Sequence, residues 1–166
     1  MAILDILTCG GTFDKTYGMG AGVRDMTVAQ EPAIRGILTR VAPTLDFSII
    51  PLMAKDSLDM TDEDRATVVS ACRRLGRKQL IIHGSDTCVL TAETIDRAGL
   101  GTVKTIVLTA SLLPACCTGS DAEFNAGLAI GVALTAEPGI YIALRGTVFL
   151  GRQCRKDPDS GEFVSI

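Results

Sequence analysis

The chain has 166 residues, enough for one domain with a core of its own and too few for two well-packed ones. With 47% hydrophobic and 21% charged residues it should fold compactly, which excludes the disordered and fibrous classes. Sixteen basic residues against nineteen acidic ones leave a net charge of −3, so neither nucleic acid nor an anionic membrane surface is expected as a partner.

In chain order, the first apolar run, Ala2 to Thr8, reads as a strand that empties into Cys9-Gly10-Gly11-Thr12. Asp14 to Arg24, DKTYGMGAGVR, is glycine-rich and reads as a loop, placed where a mobile lid would lie. Pro32 to Val41 carries Ile34, Ile37, Leu38 and Val41 at helical spacing. Asp46 to Leu52 is a second strand. Thr61 to Leu75 is a second helix with marked ends: Thr61 as N-cap, Asp62, Glu63 and Asp64 in the first turn, Arg73 and Arg74 in the last, then Gly76. Gln79 to His83 is a strand that empties, like the first, into glycine and a hydroxyl, Gly84-Ser85-Asp86. A helix at Thr87 to Ala98, a strand at Val103 to Leu108, a helix at Ala122 to Thr135 and a strand at Ile140 to Leu144 complete the alternation. The polar tail, Gly151 to Ile166, reads as a solvated end.

The strands are nearly unbroken apolar runs, which suits a sheet covered on both faces. Alternating strands and helices then give the expected fold class: α/β, a doubly wound three-layer sandwich with a mainly parallel sheet, Rossmann-like, in a single domain over residues 1–166. Ligands of such sheets bind beyond the carboxyl ends of the strands, where both glycine-hydroxyl stretches fall.

Six cysteines match no disulfide scaffold and are expected as free thiols. With one histidine, His83, and no Cys-x-x-Cys, no metal is expected. His83 itself is expected to be a strand-end residue bonded to backbone. No secretory signal and no apolar run of membrane-spanning length is apparent, so a cytoplasmic location is expected.

Five segments together resemble the L-asparaginase family, in its short bacterial form with the N-terminal domain only. Gly10-Gly11-Thr12-Phe13 is similar to the family's TGGTI and His83 to Thr87 to its HGTDT. Asp56 to Thr61 is similar to its substrate-binding serine loop, Leu108 to Pro114 to its TGAMRP, and Asp121 to Asn125 to its DGPFN. The resemblance runs in family order from Leu7 to Lys156. It implies hydrolysis of the side-chain amide of asparagine to aspartate and ammonia, without a cofactor; a homodimer or homotetramer is expected, because an isolated crevice with an open lid excludes water poorly. It places the nucleophile on Thr12, the lid tyrosine on Tyr17, and a second catalytic group on Ser85, Asp86 and Lys156. Substrate binding falls to Gly11, Ser57, Gly84 and Asp86. Chemically, a threonine hydroxyl attacks an amide only if a base takes its proton, and Tyr17 or Lys156 could serve; glycine backbone would supply the oxyanion hole.

Departures are Cys9 for threonine, Phe13 for isoleucine, Ser85 for threonine, Ala110 for glycine, and Leu58 where larger members often carry a polar residue. The C-terminal domain of full-size members is missing from these 166 residues. A weak or inactive binding module for aspartate-like metabolites is therefore the alternative. A phosphoryl-binding domain built on Asp56 and Thr109 ranks below both.

Overall fold

The computed structural model describes residues 3–18, 26–41 and 43–166. Strand β1 (Leu4–Gly10) is followed by a short antiparallel pair, β2 (Lys15–Tyr17) and β3 (Met26–Val28), then helix α1 (Ala33–Val41) and strand β4 (Phe47–Lys55). Next come α2 (Asp62–Arg74), β5 (Lys78–Ile82), α3 (Cys88–Arg97), β6 (Thr105–Thr109), α4 (Ala122–Thr135) and β7 (Gly139–Leu144). Three short strands close the chain: β8 (Thr147–Leu150), β9 (Cys154–Lys156) and β10 (Phe163–Ser165).

Six strands form one sheet in the order β4-β1-β5-β6-β7-β8, parallel throughout except for β8, which runs antiparallel to β7. The expected mainly parallel sheet flanked by helices is what forms. Because a strand points successive side chains to opposite faces, the unbroken runs divide between two cores. Leu7, Cys9, Ile81, Ile106 and Leu108 pack with Val68, Cys72, Ala92 and Ile95 of α2 and α3. Leu4, Ile6, Leu80, Ile82 and Val107 pack with Ile34 and Leu38 of α1 and with the alanine row Ala122, Ala126, Ala129 and Ala133 of α4. Those alanines let α4 lie close to the sheet, and Leu128, Ile130, Val132 and Leu134 of the same helix pack half-buried against that core.

The helix ends of α2 follow their sequence signals. Thr61 Oγ1 accepts the Asp64 N–H at 3.3 Å while the Asp64 carboxylate accepts the Thr61 N–H at 2.9 Å, a reciprocal capping box.

Two readings change. The tail from Gly151 is not a solvated end: Cys154 lies in the core beneath α3, Phe163 packs against the same cluster, and β9 pairs antiparallel with β10. Its polar residues alternate with these apolar ones, so mean polarity concealed a half-buried hairpin. The loop expected from Asp14 to Arg24 begins instead as strand β2; the remainder of the proposed lid, residues 19–24, lies outside the described residues. The short β8 is a further strand beyond those expected. Removing the cap with Thr61→Ala should lower unfolding stability by about 1 kcal/mol, with an unchanged denaturant slope in urea titrations.

Candidate active site

The sheet order reverses between β1 and β5, because the chain leaves β1 for β4 on one side and returns to β5 on the other. A crevice opens at the carboxyl ends of strands on either side of such a reversal. Gly10-Gly11-Thr12 leaves β1 there and His83-Gly84-Ser85 leaves β5 beside it.

The two loops touch through bare backbone. Gly11 is at φ 76°, a conformation unfavourable for residues with a Cβ, and a Cβ built on it would lie 2.4 Å from the Gly84 Cα. A Cβ on Gly84 would in turn lie 2.5 Å from Ser57 Oγ. Gly11, Gly84 and Ser57 are thus stacked in contact, one from each of three loops. The serine loop is fixed further by Thr87 Oγ1, which donates to the Ser57 carbonyl at 2.8 Å, and the Gly11 N–H donates to the Lys55 carbonyl at the end of β4 at 2.8 Å. Ser57 is buried at this junction.

Beside Gly84, Lys156 on β9 donates to Ser85 Oγ at 3.0 Å and is ion-paired with Asp86. Ser85 is nearly buried, while Asp86 reaches solvent. A hydroxyl bonded to an ammonium that a carboxylate holds is an arrangement that can pass a proton, provided the lysine gives one up. Thr12 opens a short 3-10 turn directly after Gly11 and is half-exposed. Its loop is therefore brought against the loop carrying Ser85.

Tyr17 is not drawn into this group. It is 63% exposed on β2, opposite Met26. The strand that carries it is held by its neighbours, since Lys15 pairs with Asp56 at 2.8 Å and thereby joins β2 to the serine loop. That ion pair, with the Leu58 N–H, keeps the Asp56 carboxyl below its ordinary range. Leu58 is exposed.

Residues that sequence reasoning quoted without a role complete the scaffold. Asp121 accepts the N–H groups of Leu112 and Leu113, and Asn125 is buried with both ends of its amide engaged. Its amide nitrogen donates to the Ala110 carbonyl at 2.9 Å and to Asp121 at 2.8 Å, and its carbonyl accepts the Arg145 N–H at 2.7 Å. Arg145 takes a left-handed φ of 51° at that point. The signal was the Asp-x-x-x-Asn spacing on one helical turn, which places both polar groups at the N-terminus of α4 facing the ends of β6 and β7.

His83 is buried between the Gly84 carbonyl, 2.8 Å from Nδ1, and Thr91 Oγ1, 2.9 Å from Nε2; burial lowers its pKa to about 4, so it is a neutral structural group, as expected. Cys9 and Cys88 are fully buried and their thiols are pushed well up by desolvation, which leaves neither a ready nucleophile. Thr109 spends its hydroxyl on the Ala143 carbonyl inside the sheet, which removes it from any phosphoryl site. Among the described residues no group of three or more His, Cys, Asp or Glu could hold a metal ion, and no helix is long and apolar enough to cross a membrane. A cavity of about 210 Å³ lies to one side, between the β7–β8 turn and the β9–β10 hairpin, and is lined by Arg145, Phe149, Glu162 and Phe163. It does not include Thr12 or Ser85.

Asp14, two residues beyond Thr12, is buried and accepts the Ala33 N–H at the start of α1 at 2.8 Å. Desolvation raises its pKa from 3.8 to about 6. The folded state then holds this proton more tightly than the unfolded chain, so the group's favourable contribution is complete below pH ~4 and is lost as pH rises through about 6. His83 acts oppositely: its depressed pKa of about 4 means stability is lost as pH falls from about 6.5. Asp14→Asn keeps the oxygen that caps α1. Relative to the parent it should gain on the order of 3 kcal/mol between pH 4 and pH 7 in urea unfolding. Parallel stability profiles for the two proteins would refute this.

The sequence matches the model of the N-terminal asparaginase family over residues 3–161. The thermostable L-asparaginase from Thermococcus kodakarensis superimposes with a TM-score of 0.79 and 26% identity, over 98% of this chain and 51% of that one. L-asparaginase I from Vibrio cholerae O1 biovar eltor gives 0.79 and 23%, over 98% and 50%. The probable cytoplasmic L-asparaginase from Campylobacter jejuni gives 0.73 and 20%, over 99% and 53%. The last two likenesses establish the fold. No match was found among curated proteins. The chain spans about half the length of the solved asparaginases it matches. The family match, the sheet and the glycine-linked loops agree over nearly the whole chain, which belongs to the asparaginase family and corresponds to its N-terminal part.

Proposed function

We propose that this chain carries the catalytic half of an amidohydrolase that cleaves the side-chain amide of L-asparagine to L-aspartate and ammonia. The observation that supports this best is the bond from Lys156 to Ser85 beside Asp86, on a loop in backbone contact with the one that carries Thr12. In the proposed reaction Thr12 Oγ attacks the amide carbon and its proton passes to a base. The C–N bond breaks, ammonia leaves with that proton, and water then hydrolyses the acyl-threonine ester to release aspartate. Backbone N–H groups of the glycine loops would receive the oxyanion, donors of a kind that contribute roughly 3 to 4 kcal/mol each.

Gly11, Ser57 and Gly84 would line the substrate shelf, and Asp86 would take the substrate's α-ammonium. Lys156 is the base this reading favours. Tyr17 would need a movement of β2 to serve, given its exposure. A homodimer or homotetramer fits the open shelf, since Leu112, Leu113 and Phe124 are exposed apolar groups nearby in the fold and an isolated crevice excludes water poorly. No cofactor is required by this scheme, and a cytoplasmic location remains the expectation.

One observation favours a second reading. The exposed Leu58 beside Ser57 offers no polar contact to the charged end of an amino acid, which suits a weak or inactive module that binds aspartate-like metabolites. Ammonia release separates the two. The parent chain should release ammonia from asparagine, Thr12→Ala should lower kcat by at least about 1,000-fold with unchanged circular dichroism, and Lys156→Met should behave similarly. Calorimetric binding of aspartate without any ammonia release would favour the module. Truncation after Gly151 is no clean test of Lys156, because it also removes Cys154 and Phe163 from the core.

A further inference from the structure

Cys116 and Cys117 have no part in the fold's cores or in the proposed reaction. Cys116 is exposed and Cys117 half-exposed, whereas Cys9, Cys72, Cys88 and Cys154 are buried. The two neighbours stand on a tightly bonded turn: the Cys117 N–H donates to the Pro114 carbonyl at 2.9 Å, the Ser120 N–H to the Cys117 carbonyl at 3.2 Å, and Ser120 Oγ to the Leu113 carbonyl at 2.9 Å. Cys116 and Cys117 are consecutive residues of this turn, so one peptide unit carries both thiols at the surface.

The turn is also fastened to the loop of Thr12. The Ala115 N–H donates to the Phe13 carbonyl at 3.1 Å, and Cys116 Sγ–H donates to the Lys15 carbonyl at 3.4 Å. Lys15 in turn holds Asp56 beside Ser57.

We propose that Cys116-Cys117 is a dithiol site for thiophilic trivalent arsenicals, and that occupation of it releases the Cys116 contact that secures β2. Geometry selects this ligand class over a direct disulfide. Adjacent Cα atoms are about 3.8 Å apart, short of the roughly 4.4 to 6.8 Å that ordinary disulfides span. An atom inserted between the sulfurs relieves that constraint, and an arsenic that carries one organic group needs only two protein ligands. With phenylarsine oxide the step balances: two As–S bonds form, the bonding between arsenic and oxygen breaks, and both thiol protons leave with that oxygen as water. Arsenic and sulfur keep their oxidation states. The Cys116 proton that reached the Lys15 carbonyl is lost.

The test is titration of the full chain with phenylarsine oxide, followed by intact-mass spectrometry and amide hydrogen exchange. The expected result is one adduct per chain that survives excess monothiol, is removed by a dithiol, and is absent from both C116S and C117S. Exchange in the segment from Lys15 to Tyr17 should quicken about tenfold. Absence of the adduct, its removal by monothiol, its persistence in either serine variant, or unchanged exchange in that segment would each overturn the proposal. Should a variant fold poorly, the monothiol and dithiol arms on the parent chain still decide. None of these readouts depends on asparagine hydrolysis.

Discussion

The structure depends on a place where side chains are missing. Gly11 and Gly84 approach until only backbone separates their loops, and Ser57 fills the space on the far side of Gly84. A methyl group at either glycine would have to displace backbone or a buried serine, not the tip of a flexible chain. The contact sets the spacing between the ends of β1 and β5, and the spacing brings the Thr12 loop against the loop of Ser85 and Asp86.

Around this contact the support is layered. Two cores grip the sheet from either face, so the strand ends emerge at fixed positions. Thr87, Asp121 and Asn125 then bond loop to loop with neutral or charged polar groups, most of them satisfied by backbone. Charge has a smaller part. The pairs Lys15–Asp56 and Lys156–Asp86 are partly open to solvent, where ion pairs contribute little to stability, so their value lies in holding particular atoms in place. The buried Asp14 is a standing cost near neutral pH, set against the hydrogen bond it provides to α1.

Much of this was legible in the letters because the determinants are local. Apolar runs such as Gln79 to His83 could only be strands covered twice, and Thr61 with Asp64 announced the start of α2. The glycine-hydroxyl exits of β1 and β5 pointed to one crevice for the same reason. The tail was misread because Cys154 and Phe163 are buried by partners far away in sequence, and their polar neighbours dominate any average over the segment. Tyr17 was assigned by its letter in a motif, yet its position depends on the pairing of β2 with β3, which no local pattern announced. Asp121 and Asn125 were visible in a motif, but their work is to bond carbonyls and N–H groups of other strands' ends, which a linear reading does not reveal.

The Lys156 to Ser85 bond joins residues 71 positions apart. Its ammonium comes from the β9–β10 hairpin, which follows every strand of the central sheet along the chain. During synthesis from the N-terminus, β1, β4, β5 and β6 can all be present before that hairpin has left the ribosome. A nascent chain at that stage would therefore own its threonine, its glycine contact and its serine while lacking the ammonium that bridges Ser85 and Asp86.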